Sequence, residues 1–108
     1  MEPAQHYDGL LDEETIRAIL NLFETSSRDL VEDTLAALEN GNRVQAMKGL
    51  HSLKGVALAV GAQRLGAEAR RIEQVTAATP IDCAKLRAVY LETIEKVREF
   101  LGRSSLVP

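Results

Sequence analysis

Apolar residues recur along this chain every three or four positions, the spacing of one helical face, and no stretch alternates as a strand would. Ile16, Ile19, Leu20 and Phe23 form a first run. They predict a short helix over about Glu13 to Phe23, with Asp12 as N-cap and Glu13 and Glu14 at its positive end. Thr25-Ser26-Ser27 reads as a break that recaps the next segment. Leu30, Val31, Thr34, Leu35 and Leu38 then carry a second stripe to about Glu39. Asn40-Gly41-Asn42 is a stop: Gly41 suits the left-handed position past a helix end, and Asn42 suits the next N-cap. Ala46, Leu50, Leu53, Ala57 and Val60 form a third stripe, interrupted at Gly61. The pattern resumes with Ala62, Leu65, Ala69, Ile72 and Val75 or Thr76. Thr79-Pro80-Ile81-Asp82 opens the last helix, with Thr79 as N-cap and Pro80 at the first helical position. Cys83, Leu86, Tyr90, Ile94, Val97 and Leu101 line its apolar face, and Gly102 reads as its end.

One short helix and four longer ones joined by tight turns predict an all-α fold. The expected architecture is an antiparallel four-helix bundle with a short additional N-terminal helix. Residues 1–11 are read as an N-terminal tail, with a turn at Asp8-Gly9 and with Leu10 and Leu11 available to pack on the bundle. Residues 12–102 are read as the domain and 103–108 as a C-terminal tail. Its Leu106-Val107-Pro108 matches the start of a protease-cleavage linker, so the tail is set aside as appended.

Composition agrees with a helical core. Of the 108 residues, 45% are apolar but only 4% aromatic, with no tryptophan. A chain of this length buries enough surface to fold without metals or disulfides, and with one cysteine, Cys83, no internal disulfide is possible. The net charge of -3 argues against a nucleic-acid partner. No apolar run reaches the roughly 20 residues a membrane span needs. With no leader recognised, the expected location is the cytoplasm, or the cytoplasmic part of a membrane-bound sensor kinase.

Candidate chemistry lies on the third stripe. At about 100° per residue, His51 falls opposite Ala46, Leu50, Leu53 and Ala57 and so points to solvent. Its helical neighbours are Val44, Met47, Lys48, Lys54, Gly55 and Leu58. Glycine inside a helix costs roughly 1 kcal/mol relative to alanine. At Gly55 that cost makes sense if something must approach His51 closely. Imidazole is an effective nucleophile near neutral pH, and phosphoryl transfer needs positioning and charge stabilisation more than covalent machinery. Lys54, one turn on, is placed to neutralise phosphate oxygens, with Lys48 on the other flank.

The string His51-x-Leu53-Lys54-Gly55, followed by Gly61-Ala62 and Leu65, resembles the signature of histidine-containing phosphotransfer (HPt) domains of two-component phosphorelays. That pattern has Leu, Lys and Gly two, three and four residues after the histidine, and a second Gly ten after it, often followed by Ala; all of these match. The resemblance extends to chain length, helix count and the histidine's place on the second long helix. It implies that His51 accepts a phosphoryl group from the aspartyl phosphate of a response-regulator receiver domain and passes it to another receiver. It also implies a phosphocarrier without kinase activity of its own, standing alone or belonging to a hybrid sensor kinase. Val44, Met47, Lys48 and Leu58 are then the docking surface. No cofactor is expected in this chain; Mg²⁺ and the second carboxylate belong to the receiver. The expected state is a monomer without direct membrane contact.

Two other readings use the same residues. One is a module that binds a receiver or kinase without being phosphorylated. The other is the phosphoryl-accepting domain of a chemotaxis-type histidine kinase, labelled directly by an ATP-binding domain. Elsewhere, Arg64, Arg70 and Arg71 interleave with Glu68 and Glu73 and read as a solvated face. No acidic cluster is expected beside His51. Cys83 reads as a small core residue, Gly61 as structural and His6 as idle. Di-iron bundles use Glu-x-x-His pairs, absent here, and haem needs ligands facing the core, so neither is expected.

Overall fold

Asp12 opens the first helix by accepting the Thr15 N–H at 2.7 Å, and that hydrogen bond holds its carboxyl below the usual carboxylate range. The computed structural model describes residues 12–75 and 77–104. Four helices account for most of them: α1 over Glu13–Glu39, α2 over Arg43–Ala59, α3 over Gln63–Glu73 and α4 over Pro80–Ser104. Among the described residues there is no strand, and no helix is long and apolar enough to cross a membrane. The expected tail of residues 1–11, with its turn at Asp8-Gly9, Leu10, Leu11 and His6, lies outside the described residues, as do residues 105–108.

The first correction concerns Thr25-Ser26-Ser27. No break occurs there; residues 13–39 are one continuous helix, so the separate short helix over Glu13 to Phe23 is the first half of α1. Ser and Thr disfavour helix interiors because their hydroxyls compete for backbone groups. Here two of the three hydroxyls are occupied without ending the helix. Thr25 donates to the Asn21 carbonyl at 3.1 Å, and Ser27 reaches across the core to the Tyr90 hydroxyl at 2.8 Å.

The turns follow the sequence closely. Gly41 and Gly61 adopt positive φ, 72° and 77°, where a side chain would be strained. Asn42 caps α2 through the Gln45 N–H. Thr79 and Asp82 cap α4 reciprocally: Thr79 N–H donates to the Asp82 carboxylate, and Asp82 N–H to the Thr79 hydroxyl. Gly102 does not end α4, which runs on to Ser104. Its φ is not positive, and Arg17 of α1 donates to the Leu101 carbonyl at 2.6 Å, satisfying one of the last orphan groups of the helix.

Each helix packs on two others: α1 against α2 and α4, and α3 against the same pair. From Arg17 through Glu24 and Ser27 to Glu32 along α1, the partners on α4 fall from Leu101 through Arg98 and Tyr90 to Arg87, so these two helices run in opposite directions. Leu20, Leu35, Leu50, Leu53, Leu65, Ile72, Leu86 and Val97 fill the interior. All five residues of the α2 stripe are buried, and Cys83 joins the core, where burial pushes its thiol up.

The expected solvated face on α3 holds for Arg64 and Arg70, which are exposed, and is corrected at Glu68. Glu68 is buried. Arg71 donates to it through Nε and Nη2 and also lies 3.1 Å from Asp82. One guanidinium therefore ties α3 to the start of α4. The sequence showed the charges interleaved but not that Glu68 falls on the buried side of α3.

Candidate functional site

The backbone of α2 fixes where His51 stands. Ala46, Leu50, Leu53 and Ala57 are held in the core with almost no exposure, so the opposite side of the helix has to face out. The His51 side chain is 75% exposed. Its ring is carried on a helix anchored by buried residues before and after it.

Two lysines flank the ring on different sides. Lys54 leans toward α3, with Nζ 3.2 Å from Glu73 Oε1. Lys48 lies on the α1 side, lining a groove with Asp33, Thr34, Gln45 and Ser52. Glu73, the last residue of α3, is the partner that sequence reasoning missed. Its Oε2 lies 3.9 Å from His51 Nδ1, too far for a hydrogen bond but close enough for one carboxylate to face both ring and ammonium. Glu73 Oε1 is sheltered from solvent and accepts no hydrogen bond, so charge rather than a directed N–H···O contact links it to Lys54. The expectation of no acidic cluster beside His51 is thus modified by one carboxylate. It is 22 residues away on another helix, and nothing in the local spacing marks it.

Three glycines show how the site is shaped. At Gly55 a Cβ would meet no atom within 4 Å, so the opening beside His51 is outside the molecule's own packing. At Gly49 a Cβ would lie 2.1 Å from Thr34 Oγ1, so that glycine lets α1 and α2 approach. At Gly66 a Cβ would press on Leu58, whose side chain lies over it. The remaining expected surface residues divide. Val44 and Leu58 are well exposed, at 66% and 51%, and Lys48 is exposed. Met47 is half-buried and lines a cleft with Ile72, Val75 and Ala78 at the end of α2 and α3.

The array is therefore an exposed imidazole, the Lys54–Glu73 pair beside it and open space at Gly55. Among the described residues, no three His, Cys, Asp or Glu side chains gather as metal ligands. The family model of the Hpt domain matches residues 18–101, from the first turns of α1 to the end of α4. The chain belongs to the Hpt family. No curated protein and no solved structure matches it. Hpt domains carry out histidine phosphotransfer in phosphorelays and interact with receiver domains, which is the function class of this chain. In this Hpt domain, α2 and the end of α3 bring His51, Lys54 and Glu73 together, while Lys48 faces the α1 groove.

Proposed function

We propose that His51 is the phosphoryl-accepting residue of this Hpt domain, and that it receives the group from a receiver aspartyl phosphate and returns it to another receiver. The observation that carries this reading is the exposed His51 ring, beside the Lys54 ammonium and the open space over Gly55. In this reading Nε2, the ring nitrogen that does not face Glu73, is the nucleophile. In the forward step Nε2 attacks phosphorus, the Nε2–P bond forms, and the acyl O–P bond breaks as the aspartate carboxylate leaves. Lys54 screens the phosphoryl oxygens. Mg²⁺ and the second carboxylate come from the receiver, consistent with a transfer governed by positioning and charge.

Val44, Met47, Lys48 and Leu58 form the docking face in this reading. The exposure of Val44 and Leu58, one on each side of His51 along α2, supports it, with Met47 contributing only its outer part. The four helices act as a closed antiparallel bundle, a rigid mount that adds no chemistry of its own.

The test uses a receiver labelled on its phosphoryl group, with Mg²⁺, mixed with the domain. Label should reach wild type and fail to reach His51→Gln. Lys54→Ala should take up label more slowly with an unchanged helical circular-dichroism spectrum. Equal labelling of His51→Gln would overturn the assignment.

A further inference from the structure

Lys54 cannot fully serve two anions. Its ammonium is held by Glu73 Oε1 at 3.2 Å, and that oxygen is sheltered from water with no hydrogen bond. A phosphoryl group on His51 brings up to about two negative charges next to the same ammonium. It also brings them toward a carboxylate whose Oε2 is 3.9 Å from the ring. If Lys54 turns to the phosphoryl oxygens, Glu73 Oε1 is left sheltered and unpaired, the arrangement that polar groups avoid at most cost. Repulsion from the phosphoryl group acts on Glu73 in the same direction.

The position of Glu73 gives this displacement somewhere to go. It is the last residue of α3. Beyond it the chain is held by two turn hydrogen bonds, Gln74 N–H to the Arg71 carbonyl and Val75 N–H to the Ile72 carbonyl, each 3.2 Å, and by the half-buried Val75 side chain against the core. The preceding turn is fixed much more firmly, by Arg71 forking to Glu68 and Asp82 and by buried Ile72. Movement of Glu73 therefore stops at Arg71 and Ile72 and is taken up by the turn after them.

We propose that phosphorylation of His51 releases Glu73 from Lys54 and loosens the C-terminal turn of α3, so that residues 73–75 carry the phosphorylation state to the edge of the docking face, where Val75 lines a cleft with Met47. This rests on His51 being the phosphoacceptor. The exchange of partners is purely electrostatic; no bond of Glu73 or Lys54 is made or broken covalently.

The experiment compares amide hydrogen exchange of the whole chain before and after treatment with a phosphoramidate phosphodonor. Mass spectrometry of the intact protein reports the gain of one phosphoryl group independently. Exchange at Gln74 and Val75 should rise on phosphorylation by on the order of fivefold, while Leu20 and Leu35 in α1 stay unchanged. Lys54→Met should raise exchange at the same two amides without any phosphoryl group, because it removes the cation directly. Glu73→Gln should make them indifferent to phosphorylation. A mass gain with unchanged exchange at Gln74 and Val75 would overturn this proposal and leave the phosphoacceptor intact. So would a Glu73→Gln protein that responds as wild type does. No mass gain in wild type, or an equal gain in His51→Gln, would overturn both.

Discussion

Gly49 and Gly55 lie six residues apart on α2, and adding the same methyl group to each should have opposite effects. The intrinsic gain is equal: alanine is favoured over glycine in a helix interior by roughly 1 kcal/mol. At Gly55 nothing lies within 4 Å of the new Cβ. Gly55→Ala should therefore keep most of that gain and raise the melting temperature by about 4–6 °C. Phosphotransfer should nevertheless slow, because the methyl occupies the space through which a receiver approaches His51. At Gly49 the new Cβ would meet Thr34 Oγ1 at 2.1 Å and Thr34 Cβ at 3.1 Å. Thr34 is β-branched and almost fully buried, so it has little room to yield. Overpacking of this kind costs about 1–3 kcal/mol. Set against the helix gain, Gly49→Ala should be destabilised by about 1 kcal/mol or more. Thr34→Ala removes the oxygen and leaves the two Cβ atoms at 3.1 Å, still closer than ordinary van der Waals contact. It also removes a hydroxyl that has no hydrogen-bond partner, so Gly49→Ala with Thr34→Ala should recover much of the loss. Urea unfolding followed by circular dichroism gives all four stabilities, and receiver-dependent labelling gives the transfer rates. A stabilised Gly49→Ala, or a Gly55→Ala that transfers at the wild-type rate, would refute the reasoning.

Two further outcomes follow from contacts away from His51. Tyr90→Phe and Ser27→Ala each leave a buried hydroxyl without its 2.8 Å partner and should each cost about 1–3 kcal/mol, whereas the double variant should cost clearly less than their sum in urea unfolding. The Asp82 carboxyl is held below its ordinary value, first by the Thr79 N–H and then by Arg71, so the unfolded chain protonates at the higher pH. Its stabilisation is complete above the unfolded value of roughly 4 and is lost as pH falls through the folded value. Asp82→Asn should flatten that acid limb in a pH series of thermal melts; an unchanged slope would refute the assignment.

Much of the fold was legible because burial and helical period coincide. On α2 and α4 the apolar stripes could be read directly, and the turn glycines and caps needed only local geometry. The misread positions share one cause, side-chain packing that spacing along the chain does not report. Thr25-Ser26-Ser27 looks like a break until Tyr90, 63 residues away from Ser27, accepts or donates across the core. Glu68 looks solvated until Arg71 and the packing of α3 enclose it. Within the candidate site, His51, Lys54 and Gly55 share one helix and show in spacing, whereas Glu73 comes from the far end of another. A helix-length pattern reports which face a residue occupies, not which neighbour meets it there.

Tyr90 has a use beyond stability. The sequence has no tryptophan and two tyrosines, of which Tyr7 lies outside the described residues. Burial pushes the Tyr90 phenol up, and its hydroxyl bridges α1 and α4, while His51 and Glu73 face one another between α2 and α3. The native ultraviolet chromophore of the core thus sits on a different seam from the imidazole. In a Tyr7→Phe protein, a domain that stays rigid while charged should keep its tyrosine emission constant, so a change on loading would report that strain had reached the seam between α1 and α4.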